Sequence, residues 1–162
     1  MLQQIEIQPY EPAYLDAIVS LSLKAWEPVF ASVESSFAPE LFNYFYPDWR
    51  AHQQKDVEKA CNSDAMHVGV ACIGDSVAGF VAFRLGEQDR TGEIYMIAVD
   101  PAHQRKGISG KLTDYATQAM RAAGMEICML STGADPGHEP ARRSYEKSGF
   151  KPWHSVIYFK QL

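Results

Sequence analysis

The sequence predicts a mixed α/β domain in which helices flank a single central β-sheet. Three β-rich runs follow one another within residues 66–99, near the middle of the chain. Segments with helical spacing of apolar residues lie on both sides of these runs, and a strand-like run follows each later helix. A chain of 162 residues can form one domain with a substantial core, so we expect a single domain over 1–162.

The N-terminal part of the chain is predicted to contain one short strand and then helices. The run "IEIQ" at 5–8 alternates as a strand does, and Pro12 suits the first turn of a helix. Helical spacing follows, and Pro28 is expected to end that first helix. Two further helices, separated by a break at Pro47, are expected before residue 62.

The remainder of the chain, about 66–162, is predicted to alternate between strands and helices. The runs "MHVGVACI" and "VAGFVAFRL" flank the short turn "GDS" and predict a hairpin, and "EIYMIAV" (93–99) adds a third strand. Helical spacing returns over 108–123, with Gly124 as its C-terminal cap. The runs "EICMLST", "PARRSYEKSG" and "WHSVIYFK" (153–160) then predict a strand, a short helix and a final strand.

Composition and charge exclude several classes of protein. The chain has 15 basic and 20 acidic side chains, a net charge of -5, which argues against nucleic-acid binding through bulk electrostatics. No apolar run approaches the roughly 20 residues that span a bilayer, and the N-terminus lacks the pattern of a signal peptide. We therefore expect a cytoplasmic protein without nucleic-acid or membrane partners. Cys61, Cys72 and Cys128 are expected to be reduced core thiols.

No metal site is expected, because the five histidines include no i, i+4 pair and no cysteine pair has zinc spacing. The segment 26–49 is dense in aromatic residues. Most of these should pack in the core, and some could line a pocket for an ammonium group, which aromatic faces suit.

The turn "DPAHQRKGISGKL" (100–112) joins the third central strand to a helix and has the character of an anion site. The first N–H groups of a helix lack internal partners and carry the positive end of its dipole, so a phosphate fits there. Gly107 lets the backbone approach a ligand, and Gly110 costs about 1 kcal/mol relative to alanine in a helical turn. Ser109 could add a hydroxyl donor, and a plain capped turn is the alternative interpretation.

This turn resembles the acetyl-CoA loop of the GCN5-related N-acetyltransferases, which has the motif [Q/R]-x-x-G-x-[G/A] shortly after a strand. Gln104 and Gly107 match the motif, whereas Ser109 departs from the usual Gly or Ala. The later run "PARRSYEKSGF" resembles the family motif A-x-x-x-Y-E-x-x-G-F. The residues in register are Ala141, Tyr145, Glu146, Gly149 and Phe150. Where the family often has Asn, seven residues before the tyrosine, this chain has His138.

The resemblance implies a GNAT-like acyl-CoA N-acyltransferase fold, with a variable N-terminal helical part over about 9–62 and a cofactor-binding core over about 66–162. Backbone N–H groups of 105–110 would hold the pyrophosphate of coenzyme A, and the edge of the strand at 97–99 would bind the pantetheine arm. The N–H of Ile97 would stabilise the oxyanion. The implied cofactor-binding residues are Ile97, Ala98, Val99, Gln104, Arg105, Lys106, Gly107, Ile108, Ser109, Gly110 and His138.

The resemblance also implies the catalytic groups. Tyr145 occupies the position of the general acid that protonates the departing thiolate, and as an isolated residue it would be a packed core aromatic. Glu93 is the candidate general base, with a solvated carboxylate as the alternative, and period-2 alternation places Glu93, Tyr95 and Ile97 on one face. His138 could contact the cofactor or the acceptor, act as the base, or have no role.

Two functions from different classes follow. The first is transfer of an acetyl group from acetyl-CoA to a primary amine of a small molecule or peptide, by direct attack in a ternary complex. The second is a non-catalytic acyl-CoA-binding sensor or interaction module of the same fold. A donor longer than acetyl also fits, and the protein is expected to be a monomer or a homodimer.

Overall fold

The computed structural model of the chain describes residues 4–86 and 88–162. The strands are β1 (Ile5–Pro9), β2 (His67–Ile73), β3 (Ser76–Arg84), β4 (Thr91–Val99) and β5 (Ile127–Met129). The helices are α1 (Leu15–Ser36), α2 (Pro39–Phe45), α3 (Trp49–Cys61), α4 (Ile108–Ala122) and α5 (Glu139–Lys147). Short 3-10 turns precede α1, α4 and α5 at Pro12–Tyr14, Pro101–His103 and Pro136–His138.

The five strands form one sheet in the order β1-β2-β3-β4-β5. Neighbouring strands are antiparallel except for β4 and β5, which run parallel. The β2–β3 hairpin turns through Gly74, whose φ of 58° is in the left-handed region that the predicted turn requires. These observations confirm the predicted mixed sheet with flanking helices.

Each face of the sheet is covered by helices. Ile18 and Leu21 of α1 and Val57 of α3 pack on one face, against a core that includes Phe80. Leu112 and the neighbouring apolar side chains of α4 pack on the other face. Gly124, with φ of 84°, follows the C-terminal end of α4 as predicted.

The prediction that α1 ends at Pro28 is wrong, because the helix continues to Ser36. A proline inside a helix removes one backbone hydrogen bond and costs about 3 kcal/mol. Packing after the proline offsets this cost. The Phe30 ring is 8% exposed and stacks on Trp49 of α3 with 4.5 Å between ring centroids.

The prediction of a final strand over 153–160 is also wrong, since residues 150–162 contain no helix or strand. The predicted strand "EICMLST" is observed only as the three residues of β5. The short β5 and the absence of a final strand have one physical cause. A strand needs a hydrogen-bonded neighbour, and in this chain the outer edge of β5 and residues 153–160 are not paired with each other.

Candidate functional site

The parallel strands β4 and β5 separate before β4 ends. They pair only from Thr91 to Glu93, opposite Ile127 to Met129, whereas β3 continues to pair with β4 as far as Val99. The edge of β4 after Glu93 therefore has no strand partner on the β5 side within the described residues. An extended ligand can hydrogen-bond to such an edge as an added strand does.

A β-bulge marks the separation. Ala82 pairs with Met96 and Phe83 with Ile94, so Tyr95 is an extra residue with no direct partner on β3. The expectation that Glu93, Tyr95 and Ile97 share one face is wrong, because the bulge interrupts the alternation. The Ile97 side chain packs with the core on the α4 side.

Tyr95 lies instead on the α3 side of the sheet, where it is 42% exposed. Burial raises the pKa of Tyr95, and the negative charges of Asp56 on α3 and of Glu93 raise it further, while Arg84 opposes them. These charged neighbours place Tyr95 and Glu93 near each other, at the point where β4 and β5 diverge.

The loop between β4 and α4 has a backbone that is left-handed at two positions. Arg105 has φ of 61° and Gly107 has φ of 81°, and Gly107 is the N-terminal cap residue of α4 without a side chain that caps the helix. A Cβ added at Gly107 or at Gly110 would meet no protein atom within 4 Å. Protein packing therefore does not explain these two glycines, and the space beside them is open to a ligand.

Basic side chains flank this open space. Arg105 and Lys106 are exposed, and the Lys106 Nζ donates weakly to the Ala102 carbonyl at 3.4 Å. The Asp100 carboxylate shapes the turn by accepting from the Ala102 N–H at 2.9 Å. The α4 N-terminus and two exposed cations thus lie in the loop that follows β4, an arrangement that suits an anionic group on an extended ligand.

Ser109 has a role that the sequence did not indicate. Its Oγ lies 3.0 Å from the Oγ of Ser144, so the first turn of α4 is hydrogen-bonded to α5. Nothing in the local pattern around Ser144 signals this contact, which joins residues 35 positions apart. The Ser109 hydroxyl is therefore engaged with α5. The serine that stands in place of Gly or Ala at this motif position thus connects two elements of the site.

We expect Ser109→Ala and Ser144→Ala each to lower the free energy of unfolding by about 0.5–1.5 kcal/mol, the net value of one hydrogen bond. The double variant should cost less than the sum of the two, because both single variants remove the same bond. Urea unfolding of the four proteins measures this coupling. Strictly additive losses would show that the two hydroxyls act independently.

Tyr145 lies in the last turn of α5 and is partly buried. Burial raises the pKa of its hydroxyl to about 12. Its ring packs edge-on against Phe150 at 6.2 Å between centroids. The hydroxyl therefore stays protonated throughout the neutral range and is available as a hydrogen-bond donor.

His138 precedes the first residue of α5 and is held by a carboxylate. Its Nδ1 lies 2.5 Å from Oδ1 of Asp135, whose other oxygen accepts from Ser32 Oγ at 2.7 Å and from the Gly137 N–H at 3.0 Å. When Nδ1 donates to the carboxylate, Nε2 is the ring atom that can accept a proton. His138 is the N-terminal cap residue of α5, the helix that carries Tyr145.

Opposing effects act on Asp135. Burial raises the pKa of its carboxyl, but hydrogen bonds from Ser32 and His138 and the charge of His138 together lower it by more. The pKa of Asp135 is therefore below its ordinary value. The sequence did not predict that Asp135 holds His138 or that Ser32 holds Asp135. Asp135 three residues earlier, directly before a proline, is a helix-start pattern that could have been found, whereas Ser32 lies 103 residues away and gives no local signal.

Glu93 occupies the last paired position of β4 before the separation from β5. Its Oε2 accepts from Nε of Arg84 at 2.6 Å and also contacts the second guanidinium nitrogen of that residue. The two residues face each other across β3 and β4. The candidate base is thus engaged by a cation in this structure, a contact that the sequence did not predict.

The aromatic residues near the site pack mainly with each other. Phe30 and Phe42 are buried between α1, α2 and α3, and Tyr46 contacts both rings. Tyr44 is 75% exposed and does not belong to this core. No group of three side chains suited to a metal ion occurs in residues 4–86 and 88–162, and no helix among them is long and apolar enough to cross a membrane.

Comparison of the sequence with protein families and curated proteins gives consistent results. The sequence model of the Acetyltransferase (GNAT) family matches residues 32–150. A mycothiol acetyltransferase of Beutenbergia cavernae is 42% identical over 62 residues, which cover 38% of this chain and 20% of that protein. The uncharacterized N-acetyltransferase YsnE of Bacillus subtilis is 35% identical over 79 residues, or 48% of this chain and 51% of that protein. The matched segments thus span about half or less of these relatives.

Solved structures share the fold over nearly the whole chain. The PaiA N-acetyltransferase of Thermoplasma acidophilum, in complex with coenzyme A, has a TM-score of 0.70 at 15% identity and covers 94% of this chain and 93% of its own. Aminoglycoside N-acetyltransferase AAC(6')-Iy, in complex with CoA, has a TM-score of 0.68 at 14% identity, with 98% and 95% covered. These likenesses confirm the predicted fold class.

Proposed function

The chain belongs to the Acetyltransferase (GNAT) family, and on that premise we propose that it transfers an acetyl group from acetyl-CoA to a primary amine of a small molecule or peptide. The observation that supports this most is the open edge of β4 beside the N-terminus of α4. Relatives named as mycothiol acetyltransferase and aminoglycoside N-acetyltransferase are named for small molecules, which favours an acceptor of that class.

The proposed cofactor occupies the edge and the loop together. Backbone groups of Ile97 and Val99, on either side of Ala98, bind the pantetheine arm, and N–H groups of 105–110 bind the pyrophosphate. Side chains of Gln104, Arg105 and Lys106 border the loop, and the N–H of Ile97 faces the acetyl carbonyl. The separation of β4 from β5 supports this assignment for Ile97 and Val99, because it leaves the backbone groups on that side of β4 without a strand partner. The backbone groups of Ala98 point to the other side, toward β3, as the Asp100 N–H does when it donates to the Ala78 carbonyl.

Gly107→Val tests the loop. A valine side chain would enter the open space beside the α4 N-terminus, so the affinity for acetyl-CoA should fall at least tenfold, about 1.4 kcal/mol. Valine is also strained at φ of 81°, and Gly124→Val is the matched control, since Gly124 has φ of 84° with no protein atom near its Cβ position at the other end of α4. Titration calorimetry compares the two. If the two variants bind acetyl-CoA with equal affinity, the loop is not part of the cofactor site.

Catalysis is proposed to need two groups at the cleft. Tyr145 donates to the departing sulfur, and Glu93 accepts the proton of the attacking amine. A lysine-like amine costs roughly 4.6 kcal/mol to deprotonate at pH 7, and an α-amino group costs about 1.4 kcal/mol. A base is therefore important for the first kind of acceptor and much less so for the second.

A second candidate function is the non-catalytic acyl-CoA-binding module, and the Arg84–Glu93 ion pair favours it, because the candidate base is engaged. Release of free thiol from acetyl-CoA with a panel of primary amines separates the two functions. Thiol release that depends on the amine supports the enzyme. Tight acetyl-CoA binding without amine-dependent release supports the module.

A further inference from the structure

The ion pair between Arg84 and Glu93 lies where β3 ends, near the start of β4. Phe83 and Ile94, their neighbours in the chain, pack with the core on the α4 side. Because side chains alternate along a strand, the two charged side chains point to the α3 side of the sheet. Tyr95 lies on that side as well, so the ion pair borders the cleft where β4 and β5 separate.

The geometry of the ion pair leaves hydrogen-bonding capacity on both partners. Nε and Nη2 of Arg84 both contact Oε2 of Glu93, with 2.6 Å between Nε and Oε2. Oε1 of Glu93 and Nη1 of Arg84 make no hydrogen bond to any of the described residues. A guanidinium carries five N–H donors, and a carboxylate accepts at both oxygens. Each partner can therefore also bind a ligand group of opposite charge.

The ion pair is accessible to such a ligand. The Arg84 side chain is 53% exposed, and the Glu93 side chain is 21% exposed. An exposed ion pair contributes little to stability, because water and salt screen its charges. A ligand that offers a carboxylate to Arg84 and an ammonium to Glu93 can therefore separate the two side chains and leave neither charge unpaired.

The charges around Tyr95 indicate which ligand fits. Burial raises the pKa of Tyr95, and the negative charge of Asp56 raises it further. Arg84 lowers this pKa and Glu93 raises it, so all three charged groups act at the Tyr95 hydroxyl. Asp56 is already engaged, since its carboxylate lies 3.3 Å from Nε2 of His52. A diamine would bring positive charge to Arg84 and a dicarboxylate negative charge to Glu93, whereas one ammonium and one carboxylate match both partners.

The position of the ion pair also suits the proposed reaction. Glu93 and Ile97 are four residues apart on β4, which is roughly 13 Å along an extended strand. The bulge at Tyr95 shortens this path. A small acceptor that holds its carboxylate at Arg84 therefore directs its amine past Glu93 and along β4, toward the N–H of Ile97.

We propose that the acceptor is a primary amine that also carries a carboxylate, as amino acids and short peptides do, with its carboxylate on Arg84 and its amine on Glu93. This inference rests on the proposed acetyl transfer and names the class of its acceptor. It also explains how an engaged base can act, because the acceptor carboxylate takes Arg84 and releases Glu93. The ammonium loses one proton to Glu93 before the attack. It loses a second proton to the departing thiolate, as the C–N bond forms and the C–S bond breaks.

The experiment measures thiol release with glycine, β-alanine and glycylglycine, each compared with its carboxamide. We expect kcat/KM for the best acid to exceed that for its amide by at least about tenfold, since only the acid carries a charge that Arg84 binds. The preferred acid distinguishes an amino acid from a peptide as the acceptor.

Arg84→Gln should lower this acid-to-amide ratio by at least about tenfold. The intrinsic reactivities of the amines cancel from this change, because both proteins receive the same acceptors. Arg90→Gln is the matched control and should keep the native ratio, since Arg90 is 62% exposed and pairs with Glu126 outside the cleft.

The outcomes separate this inference from the proposed acetyl transfer. If the native protein acetylates the amides as fast as the acids, or if Arg84→Gln leaves the ratio unchanged, the inference is wrong and the acetyl transfer stands. If no primary amine releases thiol, the acetyl transfer fails, and titration calorimetry of glycylglycine in the presence of coenzyme A then tests the inference. The native protein should bind this dipeptide at least about tenfold more tightly than Arg84→Gln does, and equal affinities would overturn the inference.

Discussion

Tyr145→Phe is expected to lower kcat by about 10²-fold, the usual effect of removing one well-placed donor to developing negative charge. Acetyl-CoA affinity should hardly change, since the ring and its contact with Phe150 remain. Steady-state kinetics with a panel amine, together with calorimetry, measures both quantities. Tyr44→Phe is the matched control, because Tyr44 is 75% exposed on α2 and lies outside the proposed machinery.

The pKa of Tyr145 defines what kind of donor it is. Burial raises this pKa to about 12, above the ordinary value of a thiol near 8.5, so complete proton transfer to the thiolate is uphill. We therefore propose that Tyr145 acts as a hydrogen-bond donor to sulfur as the C–S bond breaks. In this proposal the thiolate takes its proton from the ammonium that forms when the neutral amine attacks.

The same pKa predicts the alkaline side of the pH–rate profile. Burial favours the neutral hydroxyl, so Tyr145 remains protonated well above pH 10. Native enzyme should show no loss of kcat from this group between pH 7 and 10. If Tyr145→Phe leaves kcat unchanged, Tyr145 has no part in the mechanism.

Glu93→Gln is expected to lower kcat/KM for a lysine-like acceptor by about 10²–10³-fold at pH 7, because the amine must then lose its proton without a base. The rate should recover by about tenfold per pH unit up to about pH 10, as the fraction of neutral amine rises. For an α-amino acceptor both the loss and the recovery should be about tenfold at most. Full pH–rate profiles with the two acceptors measure the difference.

The ion pair of Glu93 with Arg84 requires its own control. Glu126→Gln removes a carboxylate that pairs with Arg90 at 2.5 Å, outside the cleft, and should leave the profile unchanged. A Glu93→Gln profile parallel to the native one would transfer the role of base to His138 or to a water chain. Its Nδ1 is held by Asp135, and His138→Gln would then produce the pH-dependent loss.

Much of the fold follows from local chemistry. The β-rich composition of "MHVGVACI" and "VAGFVAFRL", with a short turn that contains a glycine between them, is enough to predict the β2–β3 hairpin, since both the pairing and the turn are properties of neighbouring residues. The start of α4 is equally local, because Gly107 supplies the left-handed residue before Ile108. The motif in the loop between β4 and α4 and the late motif both depend on such short-range spacing, which made the family resemblance visible.

The position where α1 ends shows where local rules fail. Proline usually ends a helix, yet α1 continues past Pro28. It continues because Phe30 packs against Trp49, which lies 19 residues after Phe30 in the chain. The bulge at Tyr95 is similar. Period-2 alternation continues through it in the sequence, but the pairing with β3 shifts by one residue and moves Ile97 to the other face.

By itself, the sequence determined the order of the elements up to α5, the class of fold and the two motifs, since hydrophobic period, glycine conformation and residue spacing are all encoded within a few neighbouring positions. Only the tertiary structure decided which partners the functional side chains have. Arg84 engages Glu93, Ser144 engages Ser109, and Asp135 joins His138 to Ser32, all through contacts between separate elements or turns. It also decided that the last β-rich run forms no strand in the single chain, because a strand exists only where a hydrogen-bonding edge meets it.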